Sequence, residues 1–175
     1  MHNPSIMQRA ARIKLLVLDV DGVLTDGRVV YDDQGREIKF FDVRDGHGLK
    51  LLQRGGVEVA WLSGRGSEAN RVRAKELGVE RLIEKCLVKL PALRELMASC
   101  QVMPEQVAYM GDDLIDLPAM AAVGLALAPA DAQPQARAVA HWVCRAPGGR
   151  GAVREACELI LRANGAWKEV TERYL

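Results

Sequence analysis

Two short stretches gather carboxylates where apolar runs end, a placement that suits nucleophilic or metal chemistry. Asp19-Val20-Asp21-Gly22-Val23-Leu24-Thr25-Asp26 follows the apolar run Leu15–Leu18. A lone D-x-D is commonly a solvated turn. Here the run before it is almost wholly apolar, so Asp19 stands where the chain leaves a sheet interior. A desolvated carboxylate is costly without a partner. Gly111-Asp112-Asp113-Leu114-Ile115-Asp116 follows Val107–Met110 in the same way. One of its acids can cap a helix, but three acids in six residues exceed what a cap needs. If the two strand ends converge, they form an oxygen-rich site of hard ligands that suits Mg²⁺ and phosphate oxygens.

Two weaker features lie between the acidic stretches. Ser63-Gly64-Arg65 follows the run Val57–Leu62 and offers a hydroxyl, backbone N–H groups and a helix start, all suited to phosphate oxygens. Lys89 stands just before a helical stretch. Lys85 is its rival for a cationic role in the segment Ile83-Glu84-Lys85-Cys86-Leu87-Val88-Lys89. Lys89 is favoured because it directly precedes that helix.

These groups need elements that bring them to one place. Strands are expected at Leu15–Leu18, Val57–Leu62, Arg81–Ile83, Val107–Met110 and Gly124–Leu127, with a sixth at His141–Val143. Helices are expected over Gly46–Gln53, Ser67–Leu77, Pro91–Ser99, Leu114–Ala122 and Ala152–Ala163. The alternation predicts an α/β fold, a doubly wound parallel sheet whose chemistry sits at the carboxyl ends of the strands. Residues 27–41 interrupt it. Arg28–Tyr31, a turn at Asp32–Gly35 and Glu37–Phe41 read as a protruding β-hairpin. Its edges invite pairing with another chain, or it folds onto its own domain.

Composition sets the limits. The 175 residues suit a single domain over 1–175, with a C-terminal tail after 164. A net charge of +1, with 27% charged residues, argues against nucleic acid or an acidic membrane as partner. The four cysteines form no C-x-x-C pair, and the opening residues hold no long apolar run, so a reduced, cytoplasmic protein is expected. His47 receives no role, and Trp142 and Trp167 are assigned to packing.

In order, D-x-D-G-V-L-T-D, S-G-R, a Lys and G-D-D-x-x-D resemble the haloacid dehalogenase superfamily of phosphotransferases. The resemblance implies a Rossmann-like fold with Asp19 as nucleophile and Asp21 as general acid/base. It implies that Ser63 and Lys89 hold the transferring group, and that Asp19, Asp21 and Asp112 bind the metal, supported by Asp113 or Asp116. Arg44-Asp45-Gly46-His47-Gly48 and Gly148-Gly149-Arg150-Gly151-Ala152-Val153-Arg154-Glu155 further resemble the capless 3-deoxy-D-manno-octulosonate 8-phosphate phosphatases. Those are homotetramers in which neighbouring subunits close each site. The resemblance thus implies Mg²⁺-dependent hydrolysis of a phosphorylated sugar acid in lipopolysaccharide precursor synthesis. It also implies substrate contacts from Asp21, Thr25, Arg44, Gly64, Arg65, Arg73 and Lys89.

Spacing agrees with a missing lid. Asp21 and Ser63 are separated by 41 residues, and Ser63 and Lys89 by 25, too few for a cap domain. An open site needs a large substrate or a second subunit to exclude water. A carboxylate on the substrate calls for cations beyond Lys89. Arg44 at the end of the hairpin, and Arg65 with Arg73 eight residues apart on one helix face, are the candidates. The alternatives are a phosphatase for a nine-carbon sugar acid and a non-enzymatic phosphoacceptor domain.

Overall fold

The computed structural model describes residues 5–174. The elements are α1 (Ile6–Ala10), β1 (Leu15–Leu18), the hairpin strands β2 (Val30–Tyr31) and β3 (Glu37–Ile38), α2 (Val43–Arg54), β4 (Glu58–Leu62), α3 (Glu68–Leu77), β5 (Arg81–Ile83), α4 (Lys89–Ser99), β6 (Val107–Met110), α5 (Leu117–Met120), β7 (Leu125–Ala128), α6 (Pro134–Val139), β8 (Trp142–Val143), α7 (Ala152–Ala163) and α8 (Trp167–Thr171). Six strands form one parallel sheet in the order β5-β4-β1-β6-β7-β8.

Continuous apolar strands are what a sheet covered on both faces requires. Side chains alternate across it. Leu16 and Leu18 of β1, Trp61 of β4 and Met110 of β6 pack with α2, α3 and α7. Leu15, Val17, Leu62 and Tyr109 pack with α4, α5 and α6 on the other face. The doubly wound architecture is therefore as the alternation predicts. No cap domain occurs among the described residues: a hairpin and α2 fill the β1–β4 connection, and α3 alone fills that between β4 and β5.

The chain leaves β1 toward β4 on one side and leaves β6 toward β7 on the other. The β1–β6 boundary is thus where the winding direction switches, and a crevice opens there beyond the strand ends. Leu18 lies opposite Met110, and the Asp19 N–H continues the ladder to the Met110 carbonyl at 3.0 Å. Both acidic stretches therefore emerge side by side.

Several boundaries differ from expectation. Helix α2 starts at Val43 because the Asp42 side chain caps it. The expected helix Leu114–Ala122 splits into a 3₁₀ turn, Leu114–Asp116, and the single turn α5. The hairpin ladder covers only two residue pairs, around a turn that ends at Gly35. The residues after 164, expected as a tail, include α8 and a 3₁₀ turn whose Tyr174 hydroxyl meets His47 Nε2 at 3.1 Å and Arg54 at 2.9 Å. No helix among the described residues is long and apolar enough to cross a membrane.

Candidate active site

Carboxylate oxygens of Asp19, Asp112 and Asp116 lie within 4.8 Å of one another at the β1–β6 crevice. Lys89 reaches them from the first turn of α4. Its Nζ is 2.8 Å from Asp19 Oδ1 and 2.7 Å from Asp116 Oδ1, with the side chain 1% exposed. Lys85 is exposed, and its stem lies against Gly66. The structure thus brings Lys89 and not Lys85 to the acids.

Asp116 differs in kind from the other two acids. Its Oδ1 accepts hydrogen bonds from Lys89 and from the Tyr109 hydroxyl, each at 2.7 Å. Its Oδ2 accepts the backbone N–H groups of Asp112 at 3.1 Å and Asp113 at 3.3 Å. Four donors occupy its lone pairs, so Asp116 holds Lys89 and the Asp112 loop in place. Asp113 caps the following turn through the Leu114 N–H. Asp19 and Asp112 keep oxygens free for a hard cation.

The electrostatics agree. Burial and the Asp116 charge push Asp19 up to about 6, against the pull of Lys89. Burial and the charges of Asp19, Asp116 and Asp113 push Asp112 up to about 8. Burial works against the charge on Lys89, but Asp19 and Asp116 outweigh it and hold its pKa above the ordinary lysine value. A divalent cation would relieve this crowding of like charge, so the donor set fits Mg²⁺ in both atom type and charge.

Asp21 sits on the loop after Asp19 with its side chain 26% exposed, paired to Lys39 Nζ at 2.6 Å. At Gly22 the backbone has φ +91°, and a Cβ would run into the Asp112 carboxylate, so glycine is what permits the two loops to close. Ser63 is fully buried after β4. Its N–H bonds the Ile83 carbonyl at 2.9 Å, and its Oγ accepts the Arg65 N–H at 3.2 Å. Gly64 lies near Ile115 and Leu87 at the rim.

The other expected substrate contacts stand differently. The buried Thr25 hydroxyl is engaged with its own loop, accepting from Gly22 at 3.4 Å and Gly27 at 3.3 Å. Arg44 is exposed and pairs with Asp42 at 2.7 Å. Arg65 and Arg73 do not share a helix face. Ser67 caps α3, so Arg65 lies in the preceding loop, where it meets Glu37 at 3.0 Å and Tyr31 at 3.2 Å. Arg73 lies on α3, pairs with Glu76 at 2.9 Å and stacks over Phe41.

Two motifs make contacts that hold the fold together. The Asp45 carboxylate, 1% exposed, accepts the N–H groups of Gly151 at 3.2 Å and Arg154 at 2.8 Å, capping α7 from α2. Gly148 and Gly149 press on the Gly22–Asp26 backbone, and the Gly149 N–H bonds the Val23 carbonyl at 2.9 Å. The glycine stretch braces the loop bearing Asp21 within the same chain.

The chain and its fold are similar to those of known proteins. A family model described as haloacid dehalogenase-like hydrolase matches residues 65–154. The 3-deoxy-D-manno-octulosonate 8-phosphate phosphatase KdsC of Yersinia pestis is 51% identical over 158 residues, covering 90% of this chain and 84% of that protein. Its namesake from Salmonella typhimurium is 44% identical over 167 residues, covering 95% and 89%. The crystal structure of the Moraxella catarrhalis phosphatase of the same name, in complex with magnesium ion, phosphate ion and a KDO molecule, superposes with a TM-score of 0.95. It is 40% identical and the match covers 97% of this chain and 98% of that one.

Proposed function

We propose the following function for a chain that belongs to the haloacid dehalogenase-like hydrolases and, among them, to the 3-deoxy-D-manno-octulosonate 8-phosphate phosphatases. It hydrolyses 3-deoxy-D-manno-octulosonate 8-phosphate to the free sugar acid and inorganic phosphate, with Mg²⁺, in lipopolysaccharide precursor synthesis. The observation that carries this reading is the triad at the strand ends. Asp19 is held by the buried Lys89 beside Asp112, and Asp116 anchors that lysine from behind.

Asp19, Asp112 and the backbone carbonyl of Asp21 would hold the Mg²⁺. When bound, the ion offsets the charge on Asp19 and on the substrate's phosphate, so that the two anions can meet. Asp19 attacks phosphorus through a carboxylate oxygen, and the bond to the sugar's C8 oxygen breaks. Asp21 gives that oxygen its proton, then takes a proton from the water that opens the acyl phosphate and regenerates Asp19. Lys89 and the Ser63 hydroxyl donate to the phosphoryl oxygens, whose charge is spread in the transition state. Lys89 also keeps Asp19 aimed. Gly64 and Arg65 would contact the substrate.

The test is phosphate release from this sugar phosphate with added Mg²⁺, lost in EDTA and regained when Mg²⁺ is returned. Release that persists undiminished in EDTA would contradict the reading.

Among the described residues the site has no lid of its own. The hairpin beside it exposes Val29, Tyr31, Ile38 and Phe40, and the rim exposes Leu87, Val88 and Leu114. Apolar surface concentrated there supports a homotetramer in which neighbouring subunits cover each site. Sedimentation equilibrium at four times the chain mass is expected, and a monomer would remove the cover. Four free cysteines support a reducing compartment, the cytoplasm. Recovery of the protein in another cell fraction would contradict that placement.

A further inference from the structure

Nothing in the sequence sets Lys39 apart: it lies in a hairpin and belongs to no acidic or glycine-rich motif. Its position is nonetheless unusual for a lysine. Its neighbours Ile38 and Phe40 are 41% and 63% exposed, while the Lys39 side chain is 2% exposed. One residue beyond β3, its side chain turns away from solvent and toward the catalytic loop. Its Nζ lies 2.6 Å from Asp21 Oδ1 and 3.9 Å from Glu37 Oε2. Glu37 in turn accepts from Arg65, two residues after Ser63, and Arg65 also reaches the Tyr31 hydroxyl.

Burying an ammonium is costly unless its partners hold it well. A hairpin with a two-pair ladder is too short to impose that cost for its own stability. The bond fixes something else. The Asp21 side chain is partly exposed on a loop, and among the described residues its side-chain partner is Lys39.

We propose that Lys39 is a positioning residue for the phosphatase reaction. It holds the Asp21 carboxylate on one bearing, and through Glu37 and Arg65 it ties that bearing to the loop that carries Ser63. The inference rests on the function proposed above. On that reading Asp21 must face first the leaving oxygen and then the attacking water, and both transfers fail if the carboxylate swings away. The hairpin is then part of the catalytic apparatus as well as an apolar surface.

The test compares the parent enzyme with Lys39→Met and Lys39→Arg, using 3-deoxy-D-manno-octulosonate 8-phosphate and saturating Mg²⁺. Lys39→Met keeps the apolar stem and removes the ammonium. Its kcat is expected to fall on the order of 10- to 100-fold while KM stays within about twofold, because a misaimed acid/base affects the chemical step. Lys39→Arg, which restores a cationic donor, is expected to recover most of kcat. A lysine with only a structural task would lower the melting temperature and leave kcat of the folded enzyme unchanged, so melting curves are recorded for each variant. Should Lys39→Met not fold, Lys39→Gln keeps an N–H donor and is expected to give an intermediate kcat. Unchanged kcat in Lys39→Met, a change confined to KM, or no recovery in a folded Lys39→Arg would overturn the inference. An inactive parent enzyme would overturn the functional reading itself, and the inference with it.

Discussion

Replacing Asp19 by Asn is expected to abolish phosphate release, lowering kcat by at least about four orders of magnitude. The carboxamide has nearly the same shape as the carboxylate but cannot attack phosphorus. The fold should withstand the change. Burial, and after it the neighbouring Asp116 charge, push the Asp19 pKa up to about 6, so losing that charge relieves both desolvation and repulsion. Lys89 keeps Asp116 as its partner at 2.7 Å. The variant should therefore melt close to the parent while failing to form an acyl phosphate, and rapid-quench phosphate assays with melting curves separate the two effects. A folded variant retaining more than about a hundredth of the parent kcat would sink the assignment of Asp19 as nucleophile.

Lys89→Met is expected to cost both activity and stability. The lysine is 1% exposed and is the cation shared by Asp19 and Asp116. Its removal leaves two buried carboxylates facing each other, a loss of about 3–5 kcal/mol. The size of that loss should depend on pH in a defined direction. In the unfolded chain both acids ionise near the ordinary aspartate pKa of about 4. In the folded variant, burial and mutual repulsion hold at least one of them protonated to higher pH. The folded state then binds more protons than the unfolded one, so stability falls as pH rises between those values. Urea titrations should show a larger deficit near pH 8 than near pH 5, and Mg²⁺ should offset part of it by replacing the lost positive charge. A deficit that shrinks as pH rises would show that Lys89 is not the counter-charge of these acids.

The sheet was legible because each buried strand is short, apolar and abruptly ended. Asp19 after Leu18, Ser63 after Leu62 and Gly111 after Met110 mark the ends of three strands and the rim of the crevice. Local periodicity also located α7, whose bounds match the expected Ala152–Ala163. The helices α1, α6 and α8 escaped it, being five or six residues long and too short for a periodic stripe.

The partnerships within the site were less legible because they join distant residues. Lys39 reaches Asp21 across the hairpin, Asp45 on α2 bonds Gly151 and Arg154 at the start of the adjacent α7 though more than a hundred residues separate them in sequence, and Tyr109 presents its hydroxyl to Asp116 from inside a strand that reads as plain core. No spacing rule covers such pairs. A polar group inside an otherwise apolar strand, as at Tyr109, was the one available signal, since a buried hydroxyl needs a partner. The helix-face argument for Arg65 and Arg73 failed for a local reason: Gly64, Gly66 and the capping Ser67 keep residue 65 out of α3.

Specificity is where the central claim is most exposed. The account takes a phosphorylated eight-carbon sugar acid as the molecule that binds at the crevice holding Asp19 and Asp112. The decisive measurement is kcat/KM across a panel containing 3-deoxy-D-manno-octulosonate 8-phosphate, a nine-carbon sugar-acid phosphate, hexose phosphates and a small aryl phosphate, with saturating Mg²⁺. The account predicts that the eight-carbon sugar-acid phosphate exceeds every other member by on the order of tenfold or more, a difference of about 1.4 kcal/mol in transition-state binding. Hexose phosphates hydrolysed with equal kcat/KM would contradict it.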